Sequence, residues 1–112
     1  MGDLKKFVCK GRIAVPGAFE GKVRVIKEPD QILELQEDEI IVVRMTDPDS
    51  VPYIQRSKGV ITDHGGILCH AAIVCREMQK PCIVGTKIAT QELTTGDIII
   101  IDNEANVYKK ED

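Results

Sequence analysis

Apolar residues gather in short blocks punctuated by glycine, proline and polar clusters. Gly11 to Val15 and Lys22 to Ile26 are β-rich runs separated by Pro16, Gly17 and Gly21, which predicts two strands joined by a turn-rich connection. Glu39 to Arg44 (EIIVVR) predicts a third strand, apolar on both faces. Asp47 or Asp49 then caps a short helix through Val51, Tyr53, Ile54 and Ser57, with Pro48 and Pro52 fitting only near its first turn and Gly59 ending it. Gly59 to Thr62 (GVIT) predicts a strand that Gly65 and Gly66 break. Cys69 to Gln79, rich in alanine and aliphatics, predicts a buried helix that Pro81 terminates. Cys82 to Val84 returns as a strand, and Thr90 to Gly96 is a polar turn region. Asp97 to Asp102 (DIIIID) is the most strand-like run and closes a hairpin with Asn106 to Lys109 across Asn103-Glu104-Ala105.

Strands lead and end the chain while helices are interleaved in its middle. The pattern predicts one mixed α/β domain over residues 1–112, with its core at about residues 11–108 and a sheet, both parallel and antiparallel, covered by two or three helices. Met1 to Lys6 and Lys110 to Asp112 are expected to be loose, with Lys5, Lys6, Lys109 and Lys110 as solvated charges. Met45 and Met78 are expected to pack.

The length of 112 residues suits one domain. With 15 basic against 18 acidic side chains, the net charge of −3 supplies no broad positive field for nucleic acid or an anionic membrane. No apolar run approaches the roughly 20 residues of a membrane-spanning helix, and the opening MGDLKKFVCK lacks a signal-peptide core, so a cytoplasmic location is expected. Cys9, Cys69, Cys75 and Cys82 form no CxxC unit and read as reduced thiols.

Candidate chemistry concentrates in Thr62 to Ala72 (TDHGGILCHAA), which holds both histidines and a glycine pair at a strand-to-helix junction. Adjacent glycines permit unusual backbone conformations and close approach by a large partner. The helix that follows offers unpaired N–H groups that favour an anion. His70, placed there, is a candidate nucleophile for a phosphoryl group: neutral imidazole is abundant at neutral pH, and the phosphorylated ring remains a good leaving group. Ala71 and Ala72 leave room beside it. Against this stands the plainer reading of a polar residue at the start of a helix.

The string GGILCHAAIVCREMQKPCIVGT, Gly65 to Thr86, closely resembles the phosphohistidine motif of the phosphoenolpyruvate-utilising enzymes, among them phosphoenolpyruvate synthase, pyruvate phosphate dikinase, rifampicin phosphotransferase and the first enzyme of the sugar phosphotransferase system. PGAFEGKVRVI, RMTDPDSVPYI, GVITDHGG and TTGDIIIID also resemble that family's mobile domain. The resemblance implies a swivelling β/β/α phosphohistidine domain that moves between an ATP-grasp nucleotide domain and a barrel domain binding phosphoenolpyruvate or pyruvate. Magnesium and ATP would lie on those partner domains, with no cofactor or metal on this one. It assigns the phosphorylated histidine to His70 and supporting positions to Gly65, Gly66, Cys69 and Arg76, with Arg76 expected to orient the loop or pair with an acid. Leu68 stands where many members carry threonine, so regulation through a threonine at that position is excluded, and Leu68 resembles rifampicin phosphotransferase-like members instead.

The chain lacks a nucleotide-binding glycine-rich loop with its lysine and a carboxylate cluster for magnesium, so it is read as a phosphotransferase component and not a complete enzyme. Two alternatives are kept. One is a non-catalytic docking or regulatory module of the same fold. The other is a metal-binding module using Asp63, His64, Cys69 and His70, whose spacing lacks paired ligands.

Overall fold

The computed structural model describes residues 4–111. Among these residues eight strands, β1 (Lys5–Lys10), β2 (Arg12–Val15), β3 (Phe19–Ile26), β4 (Ile40–Val43), β5 (Gly59–Thr62), β6 (Cys82–Val84), β7 (Ile98–Ile101) and β8 (Asn106–Lys110), lie in the order β1-β8-β7-β3-β4-β5-β6-β2. Three α-helices join them: α1 (Val51–Arg56), α2 (His70–Met78) and α3 (Ala89–Glu92). The expected mixed α/β architecture is what forms.

β3 is long enough to serve two sheets. Its first half, Phe19 to Lys22, pairs antiparallel with β7, and its second half, Val23 to Ile26, pairs parallel with β4. β1, β8 and β7 continue the antiparallel side. On the other side β4, β5 and β6 are parallel neighbours, and β2 closes on β6 antiparallel. β1 and β2 stand at opposite ends of this order, yet only Gly11 separates them in the chain. The sheet therefore rolls until its two edges meet at Gly11, whose N–H donates to the Ala105 carbonyl at 3.1 Å.

Side-chain alternation along the strands builds two cores. Ile40, Val42, Ile61 and Ile83 face inward and meet Cys9, Ile99, Ile101 and Val107 of the opposite sheet, together with Ala89 and Leu93 around α3. The intervening residues Ile41, Val60, Cys82 and Val84 face outward, where Ile54 of α1 and Ala71 and Cys75 of α2 cover them. The result is three layers, sheet on sheet on helix. Such parallel strands, buried on both faces, read as unbroken apolar runs, which is why EIIVVR carries no alternation.

Several local expectations need correction. Lys5 and Lys6 are not loose: they belong to β1, which pairs with β8, and Cys9 from the same strand is buried. The Lys5 ammonium lies 4.5 Å from the Tyr108 ring centre, Lys109 reaches Asp97 at 3.7 Å and Lys110 reaches Glu20 at 2.9 Å, so these lysines knit the strands rather than simply meeting solvent. Glu111 likewise donates its N–H to the Leu4 carbonyl. Residues 1–3 and 112 of the expected loose ends lie outside the described residues. The polar stretch Thr90 to Gly96, expected as a turn, begins inside α3, and Pro29–Glu34 forms a 3-10 helix.

Asp47 is the cap, accepting the Ser50 N–H at 3.1 Å on a 3-10 turn (Pro48–Ser50) that feeds α1. That helix stops at Arg56 with Ser57 extended, so Gly59 does not end it. Gly59 opens β5 instead, where a methyl group would lie 2.7 Å from the Phe19 ring. α2 ends at Met78 because Gln79 turns left-handed (φ 57°) and Lys80 N–H closes on the Cys75 carbonyl, two residues before Pro81 can act.

Candidate functional site

Parallel pairing brings the C-terminal ends of β4 and β5 side by side, and the loops leaving those ends carry the candidate residues. The loop after β5 is tied down at its start. Asp63 N–H donates to the Val43 carbonyl and His64 N–H to the Arg44 carbonyl, at 3.1 and 3.0 Å. The Asp63 carboxylate, buried, accepts the N–H of Thr90 at 2.9 Å and also its hydroxyl, which fastens the loop to α3. The loop then runs exposed through His64 to Leu68 and enters α2 at His70.

Within the glycine pair the two residues differ. Gly65 takes φ +111°, and a Cβ on it would stand 2.8 Å from the Cys69 sulfur, so both conformation and space demand glycine. Gly66 has no atom within 4 Å of where a Cβ would be. Neither strain nor crowding demands glycine at this position.

His70 is the first residue of α2 and is half-buried. The first-turn N–H groups of a helix have no acceptor within it, and the partial positive charge they carry favours an anion by about 0.3–1 kcal/mol at an exposed site. Cys69, the residue before the helix, makes no side-chain cap bond. Thr46 holds the imidazole in place, with its hydroxyl 2.7 Å from His70 Nδ1. Thr46 sits just beyond β4, and nothing in its local sequence marks it as part of a site. No spacing rule links two residues on separate loops, and their meeting depends on β4 and β5 being parallel neighbours.

Arg76 lies on the exposed side of α2, and its Nη2 donates to the Ile67 carbonyl at 3.0 Å and, more weakly, to the Ala14 carbonyl at 3.4 Å. It contacts the loop backbone and β2, and so ties the segment before His70 back to the sheet. Leu68 is 80% exposed, so the hydroxyl that meets the ring comes from the β4 side instead.

Thr46 also lines a cleft of about 590 Å³ between the 3-10 helix of residues 29–34 and α1, floored by Ile26, Ile32, Val43 and Tyr53. Met45, expected in the core, is 59% exposed at the edge of this cleft. Met78 does pack, against the helix-side core.

All four cysteines are free thiols. Burial pushes the Cys9 thiol up to about 11. The hydrogen bond with Cys75, and then burial, drive Cys82 well above the ordinary thiol range. Both groups are therefore protonated and inert at neutral pH. Among the described residues no three side chains of ligand type converge as a metal cage would require, so the metal-module alternative gains no geometric support. Among the same residues no helix is long and apolar enough to cross a membrane.

A rolled β/β/α layer structure with a histidine opening a helix behind a glycine pair defines the class of phosphohistidine-type mobile domains. The sequence profile of the family described as PEP-utilising enzyme, mobile domain, matches residues 35–106, and the chain belongs to that family. It is 44% identical over 102 residues to a probable phosphoenolpyruvate synthase of Archaeoglobus fulgidus, a match that covers 91% of this chain and 14% of that protein. It is 45% identical over 103 residues to the phosphoenolpyruvate synthase of Pyrococcus furiosus, covering 91% of this chain and 13% of that one. The chain thus spans about a seventh of the length of these relatives. Among solved structures, Enzyme I superposes with a TM-score of 0.60 at 28% identity over 72% of this chain and 34% of its own. Aconitase X of Thermococcus kodakaraensis shares the fold alone, with a TM-score of 0.66 at 17% identity over 97% of this chain and 99% of its own.

Proposed function

We propose that this chain is a phosphoryl carrier in which Nε2 of His70 takes a phosphoryl group at one site and releases it at another. The observation that carries this reading is the Thr46 hydroxyl 2.7 Å from Nδ1 of a half-exposed histidine at a helix start. A hydroxyl can accept and donate. In the tautomer with hydrogen on Nδ1, Thr46 accepts that N–H and leaves the Nε2 lone pair free to attack phosphorus. A P–N bond forms, the P–O bond to the donor breaks, and the departing oxygen keeps the electron pair. On delivery an acceptor oxygen attacks, the P–N bond breaks and its electrons return to Nε2. If Nδ1 loses its proton in the loaded state, the same hydroxyl turns and donates to it.

The names of the relatives support phosphoenolpyruvate, or pyruvate with an ATP-derived phosphoryl group, as the exchange partners. ATP and magnesium would be supplied by an ATP-grasp domain, and pyruvate or phosphoenolpyruvate would be held by a barrel domain, in the remainder of a longer synthase or in separate subunits. Gly65 shapes the loop, Gly66 leaves the approach open, Cys69 leads into the helix and Arg76 steadies the loop through the Ile67 carbonyl.

The test places this chain in the matching segment of the Pyrococcus furiosus enzyme, to which it is 45% identical, and supplies radiolabelled phosphoenolpyruvate. The expected product is an acid-labile, base-stable phosphoryl adduct that vanishes in His70→Ala. Label that survives His70→Ala overturns the assignment.

A further inference from the structure

Thr46 and His70 lie 24 residues apart on different loops, yet the hydroxyl and the imidazole meet at 2.7 Å. The parallel ladder that aligns their two strands ends at the Val43–Thr62 pair. Beyond it each loop runs on for several residues before presenting its side chain, so a contact outside the ladder must set one loop against the other. Asp63, the first residue past β5, supplies it, because all four of its polar atoms are bonded. Its N–H donates to the Val43 carbonyl at 3.1 Å and its carbonyl accepts the Lys87 N–H at 2.9 Å. One carboxylate oxygen accepts the Thr90 N–H at 2.9 Å, and the other accepts the Thr90 hydroxyl.

These bonds reach β4, whose continuation carries Thr46, and the turn that opens α3. Ile88, the residue before α3, has no side-chain acceptor for the first-turn N–H groups. Asp63 provides that cap from 27 residues away, so helix and loop fix each other. Thr86 braces the same corner, with its N–H and hydroxyl both donating to the Thr62 carbonyl at 3.1 and 3.0 Å. Asp63 is also the last buried residue before His70, since residues 64–68 are exposed. Whatever angle the chain takes at Asp63 is therefore passed along an exposed loop to the imidazole. A misplacement of about 1 Å at a reacting group costs on the order of a hundredfold in rate.

We propose that Asp63 is a positioning residue which, through Thr90, sets the course of the loop and so holds the His70 imidazole against Thr46 with Nε2 free. This rests on the carrier reading and adds to it the residue that aligns the two halves of the site. Hydrogen bonds do this, not charge. An asparagine at position 63 offers its oxygen to the Thr90 N–H and an amide N–H to the Thr90 hydroxyl, and so keeps both contacts.

Two readouts on Asp63→Ala, Asp63→Asn and Thr90→Val test this. Nitrogen NMR of His70 in this chain reports which ring atom holds the proton, and labelled phosphoenolpyruvate, with the chain placed in the Pyrococcus furiosus synthase as above, reports the rate of loading. In Asp63→Ala the His70 nitrogens are expected to move toward the averaged shifts of an unrestrained imidazole, and labelling to slow by about tenfold. Thr90→Val, which keeps the N–H and loses only the hydroxyl, moves both in the same direction by less. Asp63→Asn keeps the parent's shifts and rate. Parental shifts and rate in a folded Asp63→Ala overturn the proposal, and so does an Asp63→Asn as impaired as Asp63→Ala, because charge would then be what matters. Should Asp63→Ala not fold, Thr90→Val decides: a rate that falls only with its unfolded fraction, with the His70 nitrogens of the folded protein unmoved, makes the pair a bolt of the fold alone and overturns it. If the unsubstituted protein takes no label, the carrier reading has failed, while the nitrogen shifts still decide whether Asp63 sets the ring.

Discussion

Thr46→Val is expected to slow phosphorylation of His70 by about tenfold to a hundredfold, the scale on which small misplacements of a reacting group act. Valine keeps the volume and branching of threonine but removes the hydroxyl oxygen that lies 2.7 Å from Nδ1. Two consequences follow. The ring gains freedom to rotate, and either nitrogen can carry the proton, so the fraction of molecules with a free and correctly aimed Nε2 lone pair falls. Because Thr46 is only half-buried and lies in a loop, the melting temperature should change little. Thr46→Ser, which restores the hydroxyl, should recover most of the rate. Rapid-quench labelling of the three proteins measures this, and an unaltered rate in Thr46→Val would show that the hydroxyl does not position the ring.

The largest expected loss of stability comes from Gly11→Ala. A methyl group at Gly11 would stand 2.5 Å from the Val84 carbonyl oxygen, 2.7 Å from Ile83 Cγ2 and 2.9 Å from Thr86 Cγ2. The nearest of these is backbone of β6, held by its pairing with β2 and β5, and cannot step aside as a flexible side chain would. Gly11 is also where the two edges of the rolled sheet meet, so a displaced backbone breaks the seam. Overpacking of this kind costs about 1–3 kcal/mol, which in a domain of this size lowers the melting temperature by several degrees for each kcal/mol. Gly66→Ala provides the contrast, since no atom lies near its Cβ position and stability should be unaffected. Calorimetry of both variants tests the seam, and a Gly11→Ala melting point equal to the parent's would contradict it.

The sheet and its site were unequally legible in the sequence. The strands from β2 to β8 show themselves because most are short apolar, β-branched runs bounded by turn residues, and α2 because alanines and aliphatics follow a glycine pair. β1 hides because its KKFVCK begins with two lysines and buries little beyond Cys9, while Phe7, at the sheet edge, is spent on an edge-to-face contact with Tyr108. Edge strands of this composition look like charged tails. The 3-10 helix at residues 29–34 and the single turn of α3 are too short to establish a period. His70 and its glycine loop are a local motif and stand out in the chain. Thr46 is not local: its place beside the ring follows from strand order, which no single segment encodes. The difference between Gly65 and Gly66 is likewise invisible in letters, since it depends on which of them meets the Cys69 sulfur.

In the proposed carrier cycle His70 carries phosphorus on Nε2 while Nδ1 stays with Thr46. Phosphorus–nitrogen correlation NMR on nitrogen-labelled protein, phosphorylated and held at alkaline pH, reads the bonded atom directly. A single phosphohistidine signal coupled to Nε2 of His70 is predicted. Coupling to Nδ1, or phosphorus on His64 or any other residue, would contradict the account.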